Sequence, residues 1–246
     1  AFITGGDPDI ETTGKLIETI ADAGADLIEI GIPFSDPIAE GPIIQAADER
    51  ALSAGCTTDK LFDMVADLSE RVSVPLLFMT YINPIYTYGK ERFLRRCAET
   101  GIAGIIVPDM PFEEKDELIT ECKEHGIELV SLISPTSDER IYAIAREAEG
   151  FIYCVSSLGV TGVRGGFTAD IGGMIDKVRS VTDIPCAVGF GVSTPDQAAA
   201  MSQLADGVIV GSAIVRIIAK YGRDAVKPVY DFISSMRQAV DQASAK

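Results

Sequence analysis

The sequence of 246 residues contains a single histidine, His125, and its cysteines are few and scattered. A serine–histidine–aspartate triad needs a histidine beside its nucleophile. His125 instead lies directly before Gly126 at the end of a predicted helix, where we expect it to cap the C-terminus. The cysteines form no CxxC pair, and zinc-type sites need clustered ligands. The sequence therefore predicts neither a catalytic triad nor a metal site.

Long apolar runs and targeting signals are also missing. No segment of about 18 apolar residues could span a membrane, and we find no signal peptide. The five cysteines are odd in number and dispersed, which is typical of a reducing cytosol. We therefore predict a cytoplasmic protein. Because residues 1–4 already read as a strand, we expect that a native N-terminal segment is missing.

Positive charge is scarce. The chain has 21 lysines and arginines against 37 acidic residues, a net charge of −16 and a pI of about 4.4. This balance argues against nucleic acid and anionic membranes as partners. It does not exclude a small anionic substrate, because backbone N–H groups can bind a phosphate. No lysine falls at the end of a predicted strand, so we expect no Schiff-base chemistry.

Eight short apolar segments alternate with predicted helices, and no linker divides the chain. They cover residues 2–4, 27–31, 75–80, 104–107, 129–133, 151–155, 186–189 and 207–210. Eight such units predict an α/β protein, a (β/α)8 TIM barrel formed as one domain by residues 1–246. The alternative is an open doubly wound sheet, which usually carries GxGxxG after its first strand. Residues 5–8 read Gly-Gly-Asp-Pro, which does not match.

Acidic side chains mark the second predicted strand and the loop after it. Glu29 interrupts an apolar strand, and Asp36 and Glu40 follow in a loop rich in proline and glycine. A carboxylate in such a strand is costly unless it has a partner or lies at an open strand end. In a barrel, the active site lies at the carboxyl ends of the strands. The sequence therefore predicts acid–base residues there, although a structural glutamate before an ordinary acidic loop would give the same pattern.

Glycines follow the last two predicted strands. Gly189 and Gly191 flank Phe190, and Gly211 precedes Ser212 at the start of a predicted helix. Barrels commonly bind phosphate in these two loops, and a helix N-terminus favours an anion. The alternative is that these glycines only turn the chain. With metal, triad and Schiff base excluded, we expect carboxylate acid–base catalysis on a phosphorylated substrate.

One motif is specific to a family. Residues 29–37 read Glu-Ile-Gly-Ile-Pro-Phe-Ser-Asp-Pro, which closely resembles the signature of the tryptophan synthase alpha subunit family. The resemblance extends along nearly the whole chain, through residues 6–8, 79–85, 108–111, 159–162, 189–191 and 211–215. The glycine pairs alone are shared by other phosphate-binding barrels.

The resemblance implies a reaction and roles for individual residues. The family is a carbon–carbon lyase of tryptophan biosynthesis, which cleaves indole-3-glycerol phosphate to indole and glyceraldehyde 3-phosphate by a retro-aldol reaction. Glu29 would be the main acid and base and would protonate the indole ring at C3. Glu40 stands where the family usually has aspartate, one methylene shorter, and would steady the indole nitrogen. Tyr153 would lie near the reacting carbons.

The resemblance also implies how substrate is bound. Phe2 and Tyr81 would line the indole pocket, and Thr161 would lie on a mobile loop and hydrogen-bond to a catalytic carboxylate. The remaining positions belong to the glycine-rich motifs and would hold the phosphate: Gly162, Gly189, Gly191, Gly211 and Ser212.

The family's partner is the beta subunit, with which it forms an alpha2beta2 complex. Pyridoxal phosphate would belong to that partner, and this chain would carry no cofactor. The contacts would involve Pro33, Asp36, Asn83, Asp109 and Pro111. The family typically begins with a helix ahead of the first strand, and we expect this sequence to lack that helix.

Three other functions compete with an alpha subunit. The chain could be a stand-alone lyase that releases indole, or a barrel with weak activity that mainly binds and regulates the beta subunit, as the change at Glu40 suggests. A sugar-phosphate isomerase would explain the glycine-rich loops, but it would not explain the motif at residues 33–37.

Overall fold

The computed structural model describes residues 1–155, 167–189 and 191–244, with the backbone alone at residues 167–170. These residues form two units. The first contains residues 1–129 and 211–234, and the second contains residues 130–210 and the chain from residue 235 onward. In both units short strands alternate with helices, as the apolar pattern predicts.

The described strands are short and parallel to their neighbours. The first unit contains, in both chain and sheet order, β1 (Phe2–Thr4), β2 (Ile28–Gly31), β3 (Leu76–Met79), β4 (Ile102–Ile106) and β5 (Glu128–Leu129). The second contains β6 (Ser131–Ile133), β7 (Ile152–Val155), β8 (Cys186–Gly189) and β9 (Gly207–Ile209). Parallel strands are usually covered on both faces, which explains why they read as continuous apolar runs.

The helices of the described residues are α1 (Ile10–Asp22), α2 (Pro42–Ser53), α3 (Thr58–Leu68), α4 (Ile82–Tyr88), α5 (Lys90–Thr100), α6 (Asp116–His125), α7 (Asp138–Arg146), α8 (Phe167–Arg179), α9 (Pro195–Ser202), α10 (Ser212–Tyr221) and α11 (Val226–Ser244). Local chemistry sets several of their ends. The Asp9 carboxylate accepts a hydrogen bond from the N–H of Thr12 at 2.8 Å and so caps α1. Gly126 ends α6 in the left-handed conformation, directly after His125.

The fifth predicted strand is divided in the structure. Residues 129–133 were expected to form one strand, but β5 pairs with β4 and β6 pairs with β7, and Val130 lies between the two segments. Residues 129–133 read Leu-Val-Ser-Leu-Ile, without a glycine or proline that would mark a break. The division therefore comes from the change of pairing partner, which a local pattern does not contain.

A helix that the sequence pattern does not indicate, α4, follows β3. Its third residue is Pro84, which is tolerated because the first turn of a helix has no carbonyl to accept the missing N–H. The Asp109 carboxylate, from the segment after β4, accepts a hydrogen bond from the N–H of Ile82 at 3.0 Å. This contact satisfies one of the free N–H groups of the first turn, and it joins residues 27 positions apart.

In the second unit, the ring of Tyr153 in β7 covers the backbone of Gly189 at the end of β8. A Cβ atom on Gly189 would lie 2.3 Å from Cε1 and 2.4 Å from the hydroxyl oxygen of Tyr153. Since Tyr153 is itself buried, its ring has little space into which it could move. Gly189 is therefore required here by packing.

We expect Gly189→Ala to displace the Tyr153 ring and to lower the free energy of unfolding by about 1–3 kcal/mol, as overpacking does. Urea denaturation followed by circular dichroism measures this loss. The matched control is Gly173→Ala in α8, where an added Cβ meets nothing within 4 Å and should leave stability equal or slightly higher. Equal urea midpoints for the two variants would contradict the packing argument.

Candidate active site

Glu29 is buried in the middle of the first unit's sheet. It lies in β2 between Ile28 and Ile30, opposite Phe2 of β1 and Leu77 of β3, and only 1% of it is exposed. Among the described residues, neither of its carboxylate oxygens has a hydrogen-bond partner. Burial therefore disfavours the ionised form and raises the pKa of Glu29 from 4.5 to about 7. A carboxyl group with such a pKa can give and take a proton near neutral pH.

The segment after β2, residues 32–41, is named here the acid loop, and Glu40 lies near its end. The hydroxyl of Tyr81 donates a hydrogen bond to the Glu40 carboxylate. The same hydroxyl oxygen accepts hydrogen bonds from the N–H groups of Ile38 at 3.0 Å and Ala39 at 2.7 Å. Tyr81 thus holds three consecutive residues of the acid loop, although it lies 41 positions from Glu40 in the sequence.

Burial and the hydrogen bond between Tyr81 and Glu40 both shift the pKa values of these two residues. Partial burial raises the pKa of Glu40, and the hydrogen bond from Tyr81 opposes that rise. Burial, followed by the hydrogen bond to Glu40, raises the pKa of Tyr81. Tyr81 therefore stays neutral and remains a donor. The ring of Phe34, near the start of the acid loop, lies 5.5 Å from the Tyr81 ring between centroids.

Sequence reasoning missed a further buried acid, Asp48. It lies in α2 and is 5% exposed, next to Ala47 and three residues before Ala51, both fully buried. Burial, followed by the charge of Glu40, raises the pKa of Asp48 to about 8. The helical periodicity of α2 could have indicated Asp48, because this acid interrupts the apolar face of the helix.

Phe2 connects β1 with the start of α10. It is buried and packs with Ala47 and Val215. An added Cβ would lie 3.2 Å from the Phe2 ring at Gly211 and 2.8 Å from it at Gly31. The position that the resemblance assigns to the indole pocket therefore contacts the backbone of a residue assigned to phosphate binding.

The start of α10 presents free N–H groups. Gly211 is the N-cap, and its carbonyl accepts hydrogen bonds from Ile214 at 2.8 Å and Val215 at 3.1 Å. The N–H groups of Ser212 and Ala213 have no carbonyl of their own helix to bond. Together with the dipole of this ten-residue helix, they could bind an anion.

The other glycine-rich positions belong to the second unit or lie outside the described residues. Gly189 is covered by Tyr153, and Gly191 has a positive φ of 76°, which favours glycine. Thr161 and Gly162, predicted to bind substrate, lie outside the described residues.

The predicted partner-binding residues differ in exposure. Asp36, Asn83 and Pro111 are exposed, Asp109 is half-buried and Pro33 is buried. The acid loop also exposes 80% of Ile38, a residue that sequence reasoning did not select. An apolar side chain this exposed, beside polar groups, is typical of a protein contact surface.

The described residues contain neither a metal-binding cluster nor a membrane-spanning helix. No three histidines, cysteines or acids among them are arranged to hold a metal ion. No helix within the described ranges has both the length and the apolar character that a membrane crossing requires.

We expect Glu29→Gln to change how stability depends on pH. A raised pKa means that Glu29 contributes stability fully below about pH 4.5 and loses that contribution as the pH rises to about 7. Glutamine does not ionise. Between pH 4.5 and pH 8, the free energy of unfolding of the wild type should therefore fall by about 3 kcal/mol relative to that of the variant.

Urea denaturation at both pH values measures this difference. The control is Glu49→Gln, an exposed acid of α2, which should follow the wild type. If Glu29→Gln also follows the wild type, Glu29 does not titrate as a buried acid.

Comparisons with known proteins agree with the sequence motif. The family model for the tryptophan synthase alpha chain matches residues 1–244. The tryptophan synthase alpha chain of Lactiplantibacillus plantarum is 48% identical over 246 residues, 100% of this chain and 93% of that protein. That of Lacticaseibacillus casei is 46% identical over 240 residues, 98% and 90% of the two chains.

Solved structures extend the likeness to three dimensions. Tryptophan synthase subunit alpha from Legionella pneumophila str. Paris aligns with a TM-score of 0.89 at 36% identity, over 98% of this chain and 91% of that one. Mycobacterium tuberculosis tryptophan synthase gives 0.89 at 32% identity, over 97% and 90%. The predicted fold class, a (β/α)8 barrel, is confirmed by these likenesses. The chain belongs to the tryptophan synthase alpha chain family.

Proposed function

We propose that this chain is a carbon–carbon lyase that cleaves indole-3-glycerol phosphate to indole and glyceraldehyde 3-phosphate in tryptophan biosynthesis. Family membership supports the reaction. The observation that carries the chemistry is Glu29, a fully buried carboxyl group whose pKa is raised to about 7. A catalytic acid and base works best when its pKa lies near the working pH.

In the proposed mechanism, Glu29 supplies and recovers one proton. Protonated Glu29 donates to C3 of the indole ring, and positive charge develops on the ring nitrogen. The ionised carboxylate then removes the proton of the hydroxyl on the adjoining glycerol carbon. As that carbon becomes a carbonyl, the bond to C3 breaks and its electrons return to the ring. Indole leaves, and Glu29 is protonated again.

Glu40 stabilises the charge on the indole nitrogen in this mechanism. It is the carboxylate of the acid loop, and a negative charge near a developing cation lowers the barrier most where water is excluded. The hydrogen bonds of Tyr81 to Glu40, Ile38 and Ala39 support this role, because they keep the carboxylate in one place. Tyr81 then acts on the pocket through its hydroxyl as well as through its ring.

The remaining substrate contacts are proposals that follow the family resemblance. Phe2 lines the indole pocket, and Tyr153 lies near the reacting carbons. The free N–H groups at the start of α10 support a phosphate role for Gly211 and Ser212. The roles of Gly189, Gly191, Gly162 and Thr161 stay predictions, as does the folding of residues 1–246 as one domain.

We further propose that the chain works in the cytoplasm with the beta subunit, in an alpha2beta2 complex whose beta subunit holds the pyridoxal phosphate. Exposed Asp36, Asn83 and Pro111 contact the partner directly, and exposed Ile38 supplies apolar area. Asp109 supports α4 through the N–H of Ile82, and buried Pro33 shapes the acid loop.

We expect Glu29→Gln to reduce indole release from indole-3-glycerol phosphate by about 10²–10⁴-fold, because the variant has no carboxyl proton to exchange. The assay compares wild type, Glu29→Gln and Glu49→Gln with and without a beta subunit. Wild type and Glu49→Gln should release indole faster once the partner is added. An indole-release rate that the beta subunit does not change would indicate a stand-alone lyase. If Glu29→Gln is as active as the wild type, Glu29 is not the catalytic acid and base.

We expect Glu40→Asp to lower turnover by about tenfold or more, since a shorter side chain withdraws the carboxylate from the Tyr81 hydroxyl, and a displacement of about 1 Å can cost about a hundredfold. Steady-state indole release with the beta subunit measures it, and Tyr81→Phe should show a parallel loss. A large gain in Glu40→Asp would instead show that Glu40 impairs the site and would favour a chain that mainly regulates its partner.

A further inference from the structure

Thr4, the last residue of β1, has a buried hydroxyl group that the proposed mechanism does not use. Only 1% of Thr4 is exposed, and its hydroxyl oxygen has no hydrogen-bond partner among the described residues. Its backbone carbonyl, in contrast, accepts a hydrogen bond from the N–H of Asp7 at 3.3 Å. A buried hydroxyl without a partner is costly and uncommon in folded proteins. A polar group supplied by a ligand would remove that cost.

The Thr4 hydroxyl shares one face of the sheet with Glu29, whose carboxylate oxygens also lack partners in the described part of the chain. Thr4 and Phe2 lie two residues apart on β1, as Gly31 and Glu29 do on β2, so each pair points to one side of its strand. A Cβ atom on Gly31 would lie 2.8 Å from Cζ of Phe2. The two pairs therefore point to the same side.

The opposite face of these strands packs on the helices. A Cβ atom on Gly5 would lie 2.6 Å from the side chain of Leu61 in α3 and 3.1 Å from that of Ile30 in β2. Ile30 is fully buried. Because neighbouring residues of a strand point to opposite sides, the Thr4 hydroxyl points away from α3 and toward the face that carries Glu29.

Thr4 lies nearer than Glu29 to the carboxyl ends of the strands. Phe2 pairs with Glu29, whereas Thr4 pairs with Gly31, which lies two residues or about 7 Å farther along β2. Gly31 is the last residue of β2, and the acid loop with Glu40 begins directly after it. The hydroxyl of Thr4 is therefore at the level where the acid loop leaves the sheet.

This position matches one polar group of the proposed substrate. In the proposed reaction Phe2 lines the indole pocket, Glu29 acts at C3, and Glu40 faces the ring nitrogen. The indole ring has a single polar group, the N–H, which donates and does not accept. A hydroxyl oxygen beside Phe2, on the side of the acid loop, is suited to accept from it.

We propose that Thr4 is a further substrate-contacting residue, whose hydroxyl oxygen accepts a hydrogen bond from the indole N–H beside Glu40. This inference rests on the proposed function, because it takes the indole ring as the group that fills the pocket. As positive charge develops on the ring nitrogen, the hydrogen bond strengthens, since charged donors form stronger bonds than neutral ones.

The first test compares stability. Thr4→Val replaces the hydroxyl by a methyl group, and because no hydrogen bond of the free protein is lost, its urea midpoint should equal or exceed that of the wild type. The matched control is Thr13→Val. Thr13 is fully buried, but its hydroxyl accepts from the N–H of Gly6 and donates to the carbonyl of Asp9, both at 2.9 Å. The midpoint of the control should fall, and an equal fall in Thr4→Val would overturn the inference.

The second test measures ligand binding by calorimetry on the full chain without the beta subunit. The probes are indole and benzothiophene, a ring of the same shape that has sulfur in place of the N–H. The wild type should prefer indole, Thr4→Val should lose about fivefold of that preference, and Thr4→Ser, which keeps the hydroxyl, should retain it. Equal preferences in the wild type and Thr4→Val would overturn the inference.

Indole release with the beta subunit separates this inference from the proposed function. Thr4→Val should lower kcat/KM about tenfold, and Thr4→Ser should restore it to within about threefold of the wild type. If the wild type releases no indole but Thr4→Val still loses the preference for indole, the proposed function fails and the contact stands. If Thr4→Val releases indole as fast as the wild type, the function stands and the contact is wrong.

Discussion

Desolvation of carboxyl groups is the constraint on which the site depends. Glu29 lies in a strand that is apolar on either side, and neither of its carboxylate oxygens has a hydrogen-bond partner among the described residues. In water such a group would be ionised at neutral pH, whereas burial raises its pKa to about 7. The sheet that provides the core of the first unit therefore also creates the acid, because the same exclusion of water stabilises the strands and penalises the carboxylate.

The acid loop shows how the same constraint produces order. Glu40 and Asp48 are acids largely removed from water, and the Tyr81 hydroxyl is a neutral donor to Glu40. A buried polar group without a partner is costly. The hydrogen bonds of the Tyr81 hydroxyl therefore hold the acid loop in one conformation, which its proline and glycine residues alone would not do. Asp7 differs from both, because an ion pair with Arg50 compensates its charge.

Much of the fold follows from local pattern. The apolar runs locate every described strand to within a few residues. The pattern is wrong where pairing or a distant partner decides: Val130 divides one predicted strand because β5 and β6 pair with different strands. The first turn of α4 bonds to Asp109 from another segment. Neither feature has a signature within a few residues of where it occurs.

The motif at residues 29–37 is specific enough to indicate the family without a structure, and the same stretch marks Glu29 as an acid within an apolar strand. It is the tertiary structure that places the Tyr81 hydroxyl against Glu40, buries Asp48 and Pro33, and leaves Ile38 exposed. The physical reason is separation along the chain. Periodicity reports which face of an element is apolar, whereas a contact between Tyr81 and a residue 41 positions away depends on how strands and loops are brought together.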